Sequence, residues 1–275
     1  MKLPRLRRRP VQSTEPEWMD TPGHAREVVV DNLKDLRRCN LILGGLRLTR
    51  VPLARLARRL APGETLRVLD VATGGGDIPR DIARWARSVR RPLVLVASDI
   101  SEQLVALARE QSAELLRRPA PPPAEGAPVT LLFVVADARR LPFARQAFHV
   151  TTCSLALHHM LQHEARQMLT EMGRCASVGV VVNDIVRGWL GYVGAYVATR
   201  LGSRNVLTWH DGPLSVLRAY TTEEMHRLAE ASGLRPVRWD SFLFYRVAMT
   251  AVPQVTSPES RVPSPESSAN SGLGT

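Results

Sequence analysis

The sequence predicts an α/β fold, a parallel sheet wound with helices on both faces, and three observations carry that prediction. Strand-like and helix-like segments alternate from Arg67 to about Val182. The stretch Val68-Leu69-Asp70-Val71-Ala72-Thr73-Gly74-Gly75-Gly76-Asp77-Ile78-Pro79 reads as a buried strand that breaks into a glycine turn and starts a helix, with Pro79 in a first turn that tolerates it. Three apolar runs each reach an aspartate: the first at Asp70, the second (Leu93 to Ser98) at Asp99, and the third (Leu131 to Ala136) at Asp137.

In chain order, residues 1–17 are basic and punctuated by proline, and a segment of that composition is expected to be disordered. Between Glu27 and Leu60, apolar residues recur at three and four (Val29, Leu33, Leu36, then Leu53, Leu56, Leu60), which predicts two amphipathic helices split around Gly44-Gly45 and Pro52. A folded domain is expected over residues 18–252, made of these helices (18–61), a core (62–183) and a further segment (184–219). In the core, Ser101 is placed to cap a helix from Glu102 to Arg117, and a proline-rich insertion, Pro119 to Pro128, precedes the third strand. Phe148 to Cys153 reads as the fourth strand, Glu164 to Arg174 as a helix and Val178 to Val182 as the fifth strand. Trp209-His210-Asp211-Gly212-Pro213 reads as a turn; Thr222 is placed to cap the last helix and Gly233 to close it, after which Val237–Trp239 and Phe242–Met249 supply two strands. The tail, residues 253–275, is rich in Ser, Pro and Gly and is expected to be disordered.

Composition narrows the function. With 275 residues and 44% hydrophobic content the chain supports one sizeable α/β domain. Its formal charge of +11 would suit a polyanion, but only Lys2 and Lys34 are lysines among 37 basic residues, the arginine bias that a GC-rich genome produces. Aromatics are only 5% and no RNA-binding signature accompanies the charge, so nucleic acid is not expected as a partner. Cys39, Cys153 and Cys175 are not spaced as pairs, which argues against disulfides and against a metal site of paired cysteines; no metal is expected. No apolar segment follows the basic N-terminus, and the longest apolar stretch, Gly188 to Thr199, falls short of the ~20 residues of a membrane span, so the expected location is the cytoplasm.

The glycine turn suits two kinds of ligand. A Gly-x-Gly-x-x-Gly turn would face a pyrophosphate, whereas Gly74-Gly75-Gly76 is followed by Asp77, a carboxylate that repels phosphate and attracts an ammonium or sulfonium. Asp99 lies 23 residues past Gly76, close to the ~20-residue offset at which an acid meets a ribose. With Asp70, Asp99 and Asp137 in phase, the chain resembles the class I S-adenosylmethionine-dependent methyltransferases. The resemblance implies a Rossmann-like, seven-stranded, mostly parallel sheet with a C-terminal antiparallel hairpin, and S-adenosyl-L-methionine as cofactor. It also implies cofactor contacts from Asp70, Thr73, Gly74, Gly75, Gly76, Asp77, Asp99, Ile100, Asp137, Ala138 and Ser154. Ala72 stands where much of that family has glycine, a departure shared with the quinone-pathway methyltransferases resembling UbiE and MenG.

Methyl transfer from a sulfonium is an in-line displacement, so the protein chiefly orients donor and acceptor. A protonated acceptor such as a phenol also needs a base. Two clusters offer one: His210 beside Asp211, the first candidate, and Leu157-His158-His159 after the fourth strand, which resembles the same place in many small-molecule methyltransferases and makes His158 the alternate. The remaining histidines, His24, His149, His163 and His226, are expected at surface or structural positions. Trp189, Tyr192 and Tyr196, with His159, are the candidate acceptor-binding residues; their apolar segment reads equally as a lid over a lipophilic ring, a buried core helix, or a contact with a bilayer surface. Asp211 to Thr221, with Glu17-Trp18-Met19-Asp20, resembles a bacterial subgroup associated with type III polyketide synthases. The implied reaction is methylation, O-methylation first, of a lipophilic aromatic acceptor that is phenolic or quinonoid and of polyketide origin. C-methylation in quinone biosynthesis, or a non-catalytic S-adenosylmethionine-binding subunit, is the alternative. An RNA-modifying enzyme would need an Asn/Asp-Pro-Pro-Tyr tetrad or paired cysteines, and the sequence has neither.

Overall fold

The computed structural model describes residues 16–21, 23–117 and 127–254. The expectations for most of the N-terminal tail, most of the proline-rich insertion and most of the C-terminal tail lie outside these residues; Glu17, placed in the tail expected to be disordered, is instead buried and accepts from Ser215 Oγ. Seven strands form one sheet: β1 (Leu66–Val71), β2 (Leu93–Asp99), β3 (Val129–Val135), β4 (Phe148–Ser154), β5 (Ala176–Ile185), β6 (Leu234–Phe242) and β7 (Arg246–Pro253). Their order is β3-β2-β1-β4-β5-β7-β6, with β7 antiparallel to both β5 and β6 and the other neighbours parallel. The chain winds outward from β1 through β2 to β3, then returns to build β4 and β5 on the other side. Strand order therefore reverses between β1 and β4, and the crevice at their carboxyl ends is where such sheets bind ligands.

The period of two along each strand sends successive residues to opposite faces. In β1, Leu66 and Val68 enter a core with Ile78, Ile82 and Leu53, while Leu69 and Val71 enter a second core with Met168, Leu169 and Met172. Helices α3 (Asp77–Ser88) and α5 (Gln162–Cys175) thus lie on opposite faces of the sheet, as the alternation of segments predicts. Helix α4 (Glu102–Arg117) begins as expected, with the Leu104 N–H donating to Ser101 Oγ at 3.3 Å.

The two N-terminal helices are α1 (Arg26–Ile42) and α2 (Gly45–Ala57), parted at Gly44, whose φ of 74° is left-handed. Pro52 does not divide them: it sits buried inside α2, where its ring fills core space and only one backbone hydrogen bond is forgone. Gly179 lets α2 approach β5, since a Cβ there would stand 2.9 Å from Leu56.

Three further boundaries differ from the sequence reading. Trp209–Pro213 is not a turn but lies within α7 (Val206–Arg218), which follows α6 (Trp189–Gly202); Asn205 caps α7 by accepting from the Leu207 N–H at 2.9 Å. The cap of α8 (Thr222–Ala231) is Thr221 rather than Thr222, because Thr221 Oγ1 accepts from Glu224 N while Glu224 Oε2 accepts from Thr221 N. The final hairpin turns at Leu243–Tyr245, residues that read as the start of the last strand. Among the described residues no helix is long and apolar enough to cross a membrane.

Candidate active site

The carboxyl end of β1 runs directly into the glycine loop. Ala72, Gly74 and Gly76 all take left-handed backbone, with φ of 55°, 51° and 73°. Alanine pays a steric penalty there that glycine would not, so the residue that departs from the family pattern keeps the pattern's conformation. The loop is tied to the neighbouring strand: Asp99 Oδ2 accepts from the Gly74 N–H at 2.9 Å and Oδ1 from the Ser101 N–H at 3.0 Å. Helix α1 closes over the loop, where a Cβ on Gly75 would stand 3.2 Å from Leu33, and Asn40 Nδ2 donates to Asp77 Oδ2 at 2.7 Å. A Cβ on Gly74 would meet no atom within 4 Å, so that position faces open space.

Beneath the loop, Asp70 is buried and accepts from Thr73 Oγ1 and Thr152 Oγ1, each at 2.7 Å. Burial raises its pKa to about 7 against the opposing effect of the two hydroxyl bonds. A carboxyl whose folded value lies above its unfolded one holds its proton more tightly when folded, so its contribution is present below about pH 4 and lost as pH rises through about 7. Asp70→Asn should remove that loss. Relative to the variant, the parent is expected to lose on the order of 2–4 kcal/mol between about pH 5 and about pH 8. Denaturant unfolding of both across that range checks it, and equal pH slopes contradict it.

The other residues expected at the cofactor are spread along the same crevice. Asp137 is half-exposed and paired with Arg139, its carboxylate accepting from both Nε and Nη2 at 3.0 and 2.8 Å. That pairing holds it below the ordinary carboxylate range. Ala138 is buried and Ile100 exposed. Ser154 Oγ accepts from Asn183 Nδ2 at 3.3 Å and from Arg246 Nη2 at 3.4 Å, so it belongs to a buried network that also ties Arg246 to Asn40.

At the ends of β4 and β5, side chains from three parts of the chain converge. Asp184, the penultimate residue of β5, accepts from the His158 backbone N–H at 3.1 Å and pairs with His158 Nδ1 at 2.6 Å. Leu155, with φ of 56°, makes the left-handed turn that brings this segment back toward β5. His159 Nδ1 pairs with Asp20 Oδ2 at 2.7 Å. Between the two imidazoles lies Glu17, whose carboxylate oxygens stand 3.6 Å from His158 Nε2 and 3.6 Å from His159 Nε2. Arg218 Nη2 donates to the His159 carbonyl at 2.6 Å, and Ser215 Oγ donates to Glu17 at 2.9 Å. Burial would lower the His159 imidazole, but the Glu17 and Asp20 carboxylates raise it to about 9. Burial would raise the Asp184 carboxyl, but the His158 imidazole beside it holds it below the usual range.

His210 and Asp211 do come together, at 2.7 Å, but both are committed elsewhere. Asp211 accepts the backbone N–H groups of Trp18 and Met19 at 2.8 and 3.0 Å, and the His210 ring stacks on Trp18 at 4.0 Å. The pair fastens the short 3-10 turn Trp18–Asp20, and so sets Glu17 and Asp20 against the histidines. Helix α6 is not a core helix: only Gly191 is buried, and Trp189, Leu190, Val193, Tyr196 and Val197 are exposed. Trp189 packs edge-on to Tyr192, and Tyr196 lies under Arg200. Sequence reasoning gave no role to Glu17 or Asp20. The signal available was the match of residues 17–20 and of the stretch after Asp211 to one subgroup. Of the four histidines given no role, His149 is buried and accepts the Arg67 N–H at 3.1 Å, and His24 bonds the Trp18 carbonyl.

Residues 68–179 match the family described as a methyltransferase domain. The ubiquinone/menaquinone biosynthesis C-methyltransferase UbiE of Rickettsia typhi is 23% identical over 188 residues, covering 65% of this chain and 72% of that enzyme. Matches to further Rickettsia enzymes of the same name span only 45–57% of their length. Among solved structures, a SAM-dependent methyltransferase from Aquifex aeolicus superposes with a TM-score of 0.54 at 16% identity, covering 83% of this chain and 98% of that one. The CMeT domain of the citrinin polyketide synthase gives 0.52 at 14% identity, covering 74% and 50%.

Proposed function

We propose that the chain is a class I S-adenosylmethionine-dependent methyltransferase that methylates a lipophilic aromatic small molecule at a phenolic oxygen, and that the Glu17–Asp20–His158–His159–Asp184 cluster is its acceptor end. The observation that carries this reading is the convergence of two carboxylate-held imidazoles at the carboxyl ends of β4 and β5, beside the strand-order reversal and the glycine loop. Such a cluster lowers the cost of ionising an acceptor hydroxyl, which methyl transfer to a phenol requires near neutral pH. In this reading the donor's amino-acid part lies over Thr73 to Asp77, its ribose at Asp99, and its adenine near Asp137 and Ala138. The methyl group is then presented toward His158.

Helix α6 supplies the apolar side of the acceptor path, with Trp189, Tyr192 and Tyr196 as its aromatic surface. Its exposed apolar face also fits peripheral contact with a membrane from which a lipid-soluble acceptor is drawn. A second reading, C-methylation of a quinol ring, is favoured by the UbiE relatives and needs the same ionised ring hydroxyl. Incubation with alkyl phenols and alkyl quinols, followed by NMR of the product, separates an O-methyl from a ring methyl. A product methylated on carbon alone would replace the first reading with the second.

Gly74→Val tests the donor end. Its side chain would project into the open space that the donor's amino-acid part is proposed to fill, and its φ of 51° disfavours a β-branched residue. Donor binding should disappear from calorimetry while far-UV circular dichroism stays that of the parent. Retained affinity would move the donor off this loop.

A further inference from the structure

We propose that Glu17, His158 and His159 form a binding site for one divalent transition-metal ion of the zinc class. This rests on the reading of the cluster as the acceptor end. Three ligand atoms, one carboxylate oxygen and an imidazole nitrogen from each histidine, lie within 4.8 Å of one another. Glu17 Oε1 stands 3.6 Å from His158 Nε2 and Glu17 Oε2 stands 3.6 Å from His159 Nε2, each too far for a good hydrogen bond. Ligands held ~2.1 Å from one ion at a tetrahedral angle stand about 3.4 Å apart, so the three atoms, already within 4.8 Å of one another, need only draw in slightly around an ion.

The surroundings match the same chemistry. Each imidazole has its Nδ1 against a carboxylate, Asp184 for His158 and Asp20 for His159, so a ring that binds an ion through Nε2 keeps its Nδ1–H on that carboxylate, and Nε2 is the atom on the Glu17 side. A carboxylate behind each metal-binding histidine fixes the ring and raises its basicity as a ligand. Three carboxylates, Glu17, Asp20 and Asp184, surround the point between the rings, while the Arg218 guanidinium donates to the backbone carbonyls of His158 and His159. The side chains of Glu17 and His158 are each only 4% exposed and that of His159 is 23% exposed, so a bound ion would be shielded on the Glu17 and His158 side and open to solvent beside His159. Two imidazoles and one carboxylate suit zinc or iron(II), whereas Mg²⁺ and Ca²⁺ favour all-oxygen sites.

Three protein ligands leave a position for an oxygen of the acceptor. Bound there, the acceptor hydroxyl loses its proton to solvent. Its oxygen then forms the new O–CH₃ bond as the S–CH₃ bond breaks and S-adenosylhomocysteine leaves.

The test is titration of the full-length chain, stripped with a chelator, with Zn²⁺ by calorimetry and with Co²⁺ by visible absorption. One ion per chain is expected, with Co²⁺ bands of nitrogen and oxygen ligation. His159→Ala and Glu17→Gln should each lose the bands and weaken Zn²⁺ binding at least tenfold, and Asp20→Asn should weaken it about 10–100-fold through the ring it holds. S-adenosylmethionine calorimetry on the same samples reports their folding. Failure of the parent to bind near one equivalent, or equal binding by parent and correctly folded variants, overturns the site. If metal uptake fails while labelled methyl still reaches a phenol, only the metal proposal falls; if transfer fails with the ion bound, the acceptor reading falls instead.

Discussion

Asp99→Ala is expected to weaken S-adenosylmethionine binding at least tenfold while leaving the fold intact. The proposed ribose contact would be a pair of charge-assisted hydrogen bonds, each worth about 1.5–3 kcal/mol. The same carboxylate also ties the Gly74 and Ser101 N–H groups at 2.9 and 3.0 Å, so its loss frees the glycine loop as well as the ribose. Burial raises the Asp99 carboxyl against these backbone bonds, which means removing it does not cost the free protein a strongly favourable charge. Calorimetry on parent and variant decides: unchanged affinity takes the ribose away from the second strand's acid.

The second large effect is expected at His158. His158→Ala should lower kcat by ~10²–10⁴ at neutral pH and recover much of it where the acceptor ionises unaided, with donor affinity unchanged. Recovery at high pH distinguishes help with ionisation from packing, because a packing defect is not relieved by an ionised acceptor. His210→Ala is expected to act differently. It removes the ring stacked on Trp18 at 4.0 Å, so it should raise the acceptor KM by loosening residues 17–20, with no alkaline recovery. Recovery by His210→Ala and none by His158→Ala would return the role to α7.

The elements proposed to hold the donor were legible in the sequence because their residues are near neighbours. A strand, a glycine turn and a helix mouth occupy residues 66–88 without interruption, and the acids of β2 and β3 follow by the period of the fold. The cluster proposed as the acceptor end was only half legible. His158 and His159 announce themselves by position after β4, but their partners Glu17, Asp20 and Asp184 are 26 to 142 residues away, and the hold of α7 on residues 17–20 and the path of β5 bring them together. His210 and Asp211 show the opposite case. They are adjacent in sequence and do bond, yet Asp211 also satisfies the backbone of Trp18 and Met19, so a pair that looks like a base and its orienter holds a segment in place. The turn assigned to Gly212-Pro213 failed because both residues were read as breakers, whereas Pro213 is buried in an α7 that continues to Arg218.

The central claim, methyl transfer to a lipophilic aromatic acceptor, is tested most directly by following the methyl label of S-adenosylmethionine through incubation with alkyl phenols, alkyl quinols and total RNA together. The account predicts label in the organic-soluble phenol or quinol fraction, dependent on Asp99 and His158. Label that remains in the donor, or that appears in RNA, would contradict it.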